Sequence, residues 1–198
     1  GAPLNSGCQR CTLHESSARV CMPAEGAPGG VLIVGMYPGK VEERTGRHNW
    51  GSTGQYLRKN VAKTTNGPVV YDNAIKCRPK NTTNISASIF NGCRPYLAQI
   101  IEDAGPTRII ALGSAAVRGL TGRAVPTMSA RRAYTWHLSK SIPIFFLPHP
   151  AAIYSNRILR AQFEADLAWC INGPLPPKPP LSSLAKCVTS RAGAVLAA

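Results

Sequence analysis

Three short apolar runs, each closing on a turn built from glycine, proline or histidine, limit this chain more than any other feature. Val31-Leu-Ile-Val-Gly35 lies between Gly29-Gly30 and Tyr37-Pro38-Gly39, Arg108-Ile-Ile-Ala-Leu-Gly113 follows Gly105-Pro106, and Ile142 to Leu147 runs straight into Pro148-His149-Pro150. Runs of that length without polar alternation are strands covered on both faces. The segments between them carry helical spacing. Ser52-Thr53-Gly54 caps a helix from about Gln55 to Lys63 with Leu57 and Val61 on one face, and Ile85 to Ala104 repeats through Ile89, Cys93, Leu97 and Ile101. Val69 to Ile75 reads as a further strand, Ser114 to Leu120 as a short helix, Tyr134 to Leu138 as a strand, and Asn156 to Ile171 as a closing helix. Its buried face carries Leu159, Phe163, Leu167 and Cys170. This alternation predicts an α/β fold with a mainly parallel central sheet flanked by helices.

With 198 residues, 44% of them hydrophobic and 16% charged, the chain has the material for one domain, expected over residues 1–173. From Gly173 the sequence turns to Pro-Leu-Pro-Pro-Lys-Pro-Pro, so residues 174–198 are expected as an extended, Pro-rich tail. The 23 Lys and Arg against 9 Asp and Glu give a net charge of +14. Those cations are dispersed through patterned segments, with no amphipathic basic helix, which favours nucleic acid over a membrane as the polyanionic partner. No apolar run reaches bilayer length. No obligatory protein partner is evident, and a monomer is expected.

Seven cysteines include Cys8-x-x-Cys11 and then Cys77 and Cys93. A disulfide framework suits a smaller, loop-rich secreted chain, so a metal site is the better reading. Four thiolates hold tetrahedral zinc or an iron–sulfur cluster, and spacing does not separate the two. Cys170 packs as a small hydrophobe, while Cys21 and Cys187 have no assignment.

Ligands bind open α/β sheets at the carboxyl ends of the strands. The loop Gly35 to Gly39, Asn73 and His149 all fall there or close by. Together with the cysteines, these segments resemble the iron–sulfur branches of the uracil-DNA glycosylase superfamily. The resemblance covers about Cys8 to Ile171. It rests on Cys8-x-x-Cys11, the loop through Gly39, Glu42-Glu43-Arg44-Thr45-Gly46-Arg47 with Gly51 and Gly54-Gln55, and Asn73-Ala-Ile-Lys-Cys-Arg-Pro79. Cys93-Arg-Pro-Tyr-Leu97, Ile110-Ala-Leu-Gly113 and His149-Pro150 complete it. The resemblance implies a three-layer sandwich and a [4Fe–4S] cluster, with zinc as the lesser alternative, on Cys8, Cys11, Cys77 and Cys93. It implies a monofunctional DNA glycosylase that flips a pyrimidine and leaves an abasic site. No lysine sits where a Schiff base would form. An oxygen-sensitive cluster and an N-terminus without a signal pattern imply a cytoplasmic protein.

In that scheme His149 donates a hydrogen bond to O2 of the departing base, and Asn73 reads its Watson–Crick edge. Held one way round, the Asn73 amide matches uracil; rotated, it matches cytosine. The loop Gly35, Met36, Tyr37, Pro38 and Gly39 lines the base pocket. Lys40, Arg44, Arg47, Arg78 and Arg94 are candidates for backbone phosphates, the last two fixed by the cluster.

Two departures stand out. The family's uracil enzymes commonly carry an acidic residue directly after the first glycine, where this chain has Met36; Glu42 or Glu43 is the candidate replacement. At Arg47-His48-Asn49-Trp50-Gly51 the family typically has Pro-Phe, so Asn49 stands in place of the stacking aromatic. Trp50 is then expected to stack, with His48 and Asn49 as polar groups facing the substrate. Polar residues there suggest a base larger and more hydrophilic than uracil, such as the hydroxymethylated or glucosylated cytosine of phage DNA, with an antiphage role. The rival reading, motivated by Met36, is a catalytically silent DNA-binding or replication accessory relative.

Overall fold

A computed structural model describes residues 6–81, 85–123, 132–137 and 140–178. Leu138, Cys187 and residues 179–198 of the expected tail lie outside them. The elements follow the expected alternation: β1 (Glu25–Gly26), β2 (Val31–Gly35), α1 (Lys40–Thr45), α2 (Ser52–Thr64), β3 (Val69–Asn73), α3 (Ala87–Ala104) and β4 (Arg108–Leu112). Then come α4 (Ser114–Thr121), β5 (Tyr134–His137), β6 (Ile142–Leu147), α5 (Pro150–Ile153) and α6 (Arg157–Asn172). They build one six-stranded sheet in the order β1-β3-β2-β4-β6-β5. The four central strands are parallel, and β1 and β5 close the edges antiparallel.

Alternate residues of each central strand face opposite helical layers, because side chains in a strand have a period of two. Leu32, Val34, Ile109, Ala111, Ile144 and Phe146 pack with Phe90, Cys93 and Leu97 of α3 and Val117 of α4. Val31, Ile33, Ile110, Leu112, Phe145 and Leu147 pack with Leu57 and Val61 of α2 and Phe163, Leu167 and Cys170 of α6. The crossover from β2 to β3 therefore runs over one face and that from β3 to β4 over the other. The reversal opens a crevice at the carboxyl ends of β2 and β4.

Three details differ from the sequence expectation. The segment after Gly39, to which the sequence pattern assigns no element, forms α1. The strand expected to reach Ile75 ends at Asn73, and Ala74 and Ile75 instead donate backbone bonds to the carbonyls of Gly35 and Met36. The expected caps Ser52, Thr53 and Gly54 lie inside α2, whose N-cap is Gly51 and has no side-chain cap of its own. The carboxylate of Glu42 serves that end instead. Asn156 does cap α6 as its sequence position suggests, accepting from Ile158 and Leu159. Among the described residues no helix is long and apolar enough to cross a membrane.

Candidate active site

Four positions follow one another across the carboxyl edge of the sheet: Asn73 at the end of β3, Gly35 at the end of β2, Gly113 after β4 and His149 after β6. Asn73 lies opposite Gly35 in the β2–β3 register. A Cβ on Gly35 would come within 2.5 Å of the Asn73 Oδ1, so only glycine lets the amide lie over the loop. Gly113, at φ 84°, holds a left-handed conformation that favours glycine, while a Cβ there would meet that of His149 at an ordinary contact of 3.6 Å.

His149 caps the short α5, its Nδ1 accepting the backbone N–H of Ala151 at 3.2 Å. Burial lowers its pKa, opposed by the charge of Glu42. A neutral ring whose Nδ1 accepts must carry its proton on Nε2. The imidazole is therefore held as a hydrogen-bond donor with the donating nitrogen left for a ligand.

Asn73 is buried, and its Nδ2 donates to His48 Nδ1 at 3.0 Å. His48 Nε2 donates to the carbonyl of Pro23 at 2.7 Å, and the His48 backbone N–H is taken by Glu25 at 2.8 Å. With 1% of its surface exposed, His48 faces Asn73 and the β1 strand, so the expectation that it meets the substrate does not hold. Its burial, which also lowers its pKa, follows from the Glu25 anchor beneath it. Asn49 adopts φ 50°, a left-handed conformation that Asn tolerates better than most residues, and Gly54 packs its backbone against it. Backbone geometry thus gives Asn49 a reason for its identity independent of any substrate.

The two candidate glutamates part company. Glu42 Oε1 accepts the backbone N–H groups of Trp50 and Gly51, both at 2.9 Å, and its Oε2 lies where a Gly39 side chain would be. That places a carboxylate at the start of α2, within electrostatic reach of His149. Glu43 turns away: it accepts from the Ser17 hydroxyl and the Ala18 N–H and pairs with Arg78. Its expected place in the catalytic set is corrected to a brace on the N-terminal segment. Glu42→Gln should slow base release about 10²-fold, the scale of a lost catalytic carboxylate. Glu43→Gln should cost roughly 1 kcal/mol of stability with little change in turnover. Equal losses of turnover in both would refute the division.

The cations sort in the same way. Lys40 and Arg44 are exposed one turn apart on α1, and among the described residues neither forms an ion pair. Arg47 pairs with Glu25 and lies 3.6 Å over the Trp50 ring, covering one face of the side chain expected to stack on a base. Arg58, missed in the sequence, pairs with Glu25, stacks on Tyr71 and donates to the carbonyl of His48. Arg78 is committed to Glu43. The Arg94 guanidinium lies beside Gly122, past the far end of α4, about 12 Å of helix away from the strand ends. Met36 and Tyr37 are half-buried and pack on the α3–α4 core, and Pro38 is buried.

Cys8, Cys11, Cys77 and Cys93 lie within electrostatic reach of one another. Cys21 joins them, its backbone N–H donating to Cys77 Sγ at 3.2 Å while that of Lys76 reaches Cys93 Sγ at 3.5 Å. Burial pushes the Cys93 thiol up to about 11 and raises Cys77 as well. Buried thiols of this kind ionise against a metal, and N–H groups aimed at sulfur suit a thiolate ligand. Among the described residues no three Cys, His, Asp or Glu side chains stand close enough to share one metal ion. The donor set, four thiols with backbone N–H groups aimed at Cys77 and Cys93, is one that would hold an iron–sulfur cluster, linking the N-terminal segment, the loop after β3 and α3.

Residues 25–170 match the family described as the uracil DNA glycosylase superfamily. The chain is 33% identical over 181 residues to the Type-4 uracil-DNA glycosylase of Pyrobaculum aerophilum, covering 87% of this chain and 92% of that protein. It is 29% identical over 169 residues to the protein of the same name from Sulfurisphaera tokodaii, covering 80% and 76%. With that from Archaeoglobus fulgidus the identity is 25% over 167 residues, covering 80% and 84%. The chain belongs to the uracil DNA glycosylase superfamily, in the branch whose iron–sulfur members it resembles.

Proposed function

We propose that the protein is a monofunctional DNA glycosylase that takes a flipped pyrimidine into the crevice at the carboxyl edge of the sheet and leaves an abasic site. One observation carries this reading: His149, with its proton on Nε2, lies across the same edge as the buried Asn73 amide. As the N-glycosidic bond breaks, its electron pair goes to the base and positive charge grows on the sugar. A hydrogen bond from Nε2–H to the pyrimidine O2 stabilises the first, and the Glu42 carboxylate the second. Water attacks C1′ to form the new C–O bond, and the proton it sheds is matched by one that the base anion takes up from solvent, so that the free base and the abasic sugar are the products.

The relatives named above are uracil-DNA glycosylases, which supports DNA as the substrate. Lys40 and Arg44 supply phosphate contacts on one side of the crevice. Beyond His149, Ile158 in the first turn of α6 is 71% exposed beside Arg157, with Tyr154 and Leu159 also exposed. Apolar side chains framed by cations are the kind that wedge into an unstacked base step. Helical spacing assigned Leu159 to the buried face, but it lies in the first turn of α6, ahead of the packed stretch that starts at Phe163, and is 39% exposed.

A hydroxymethylated or glucosylated cytosine, with an antiphage role, is the second reading. His48 no longer speaks for it, and its remaining support is the absence of the stacking aromatic at Asn49. The test is mass spectrometry of bases released from DNA carrying uracil, hypoxanthine or each modified cytosine. Release of uracil with alkali-labile sites is the expected outcome. Selective release of a modified cytosine would establish the second reading instead, and no release from any substrate would leave a silent DNA-binding relative.

A further inference from the structure

The Asn73 amide is not free to turn. The Pro23 carbonyl can only accept, so the bond at 2.7 Å requires the proton of His48 on Nε2. The buried ring has one proton, and its Nδ1 therefore presents a bare lone pair to Asn73 at 3.0 Å. Only an NH2 group can face that lone pair. Turning the amide over would set Oδ1 against Nδ1 and leave two buried acceptors without a donor. The charged groups around the ring do not alter this: Asp72 and Lys76 are paired with each other, and Glu25 is held by Arg47, Arg58 and the His48 N–H.

Sheet order then decides which way the locked amide faces. His48 and Pro23 lie on the β1 side of β3, whereas Gly35, Gly113 and His149 follow on the other side. Asn73 Oδ1 points over Gly35, toward His149, and Nδ2 points away from it. On the proposed function, a base whose O2 meets His149 sets N3 on the Oδ1 side and position 4 on the Nδ2 side. An acceptor opposite N3 and a donor opposite position 4 match a 4-oxopyrimidine, with its N3–H and O4, and mismatch a 4-aminopyrimidine at both atoms.

We propose that His48 is a positioning residue that locks the Asn73 amide for the 4-oxo edge and so sets the choice of uracil-type over cytosine-type bases. The lock is a feature of this chain's own residues, and it rests on the glycosylase reading only for its consequence.

Two measurements on the full-length holoprotein test it. Long-range 15N–1H spectra of the His48 ring should find the proton on Nε2, with the Asn73 side-chain NH2 signals protected from exchange. A proton on Nδ1 overturns the lock whatever the activity. Next, kcat/KM is measured for matched oligonucleotides with uracil or cytosine at one position, for the wild type and for His48→Leu, which keeps an apolar fill. The wild type should favour uracil, and the variant should lose about tenfold or more of that ratio. His48→Gln, which can still accept from Asn73, should restore part of it. An equal fall on both substrates with the ratio unchanged would reduce His48 to a packing residue, and a wild-type preference for cytosine would overturn the assigned edge. If no base leaves any substrate, the glycosylase reading fails while the spectra still decide the lock.

Discussion

His149→Ala is expected to lower the rate of base release about 10²- to 10³-fold while leaving DNA affinity nearly unchanged. That is the scale for removing one donor aimed at developing negative charge, and the effect should fall on kcat. The pH dependence has a defined direction. Burial lowers the His149 pKa, so the ring is neutral at pH 7 and above with Nδ1 held by the Ala151 N–H. As pH falls through the depressed pKa, below the ordinary value of about 6.5, Nδ1 gains a proton and loses that anchor. Wild-type turnover should therefore fall in acid, and the residual activity of His149→Ala should lack that limb. A variant with full turnover, or an identical acid limb, would remove His149 from the reaction.

Lys76→Met should be the most damaging single substitution for stability outside the sulfur ligands. Lys76 and Asp72 form a buried ion pair one helical turn apart in sequence, with 1% and 0% side-chain exposure, and Asp72 Oδ1 has no hydrogen-bond partner. Removing the lysine leaves a buried carboxylate uncompensated, at a cost of about 3–5 kcal/mol. Asp72→Asn together with Lys76→Met should recover most of that loss, because the double change removes both charges. Denaturant midpoints at unchanged slope make the comparison. A double variant no more stable than Lys76→Met alone would refute the pairing as the cause.

The pair also has a place in the fold's logic. Asp72 precedes Asn73 and feels His48, while Lys76 donates its backbone N–H to Cys93 Sγ. The five residues from Asp72 to Lys76 thus carry the chain from the buried Asn73 amide to the clustered cysteines. In the sequence Asn73-Ala-Ile-Lys-Cys is legible as a motif, but Asp72 and Lys76 look there like ordinary charged residues. Only burial distinguishes them.

Periodicity alone announced the parallel core. Continuous apolar runs are strands with two covered faces, and β2, β4 and β6 are such strands. The antiparallel edges were less legible: β1 has two residues, and β5 gains its role from pairing with β6. The helix α1 was hidden because none of its residues is buried, so it leaves no apolar stripe. Gly35 and His149 could be placed from the sequence because they end or follow a recognisable strand, whereas Asn73 was legible only as part of a strand that in fact stops there. His48 could not be placed, because its position is fixed by Glu25 and Pro23, more than twenty residues away.

Hydrophobic spacing by itself determined the α/β class, and the resemblance of short motifs to a known family singled out the sulfur, amide and imidazole groups as candidates. Tertiary structure decided their directions: Glu42 toward the crevice and Glu43 away from it, Arg47 onto Trp50, Arg94 down the far end of α4, and His48 under Asn73. Period and composition are local properties that a chain displays before it folds. The direction of a hydrogen bond depends on partners that only the closed sheet brings together.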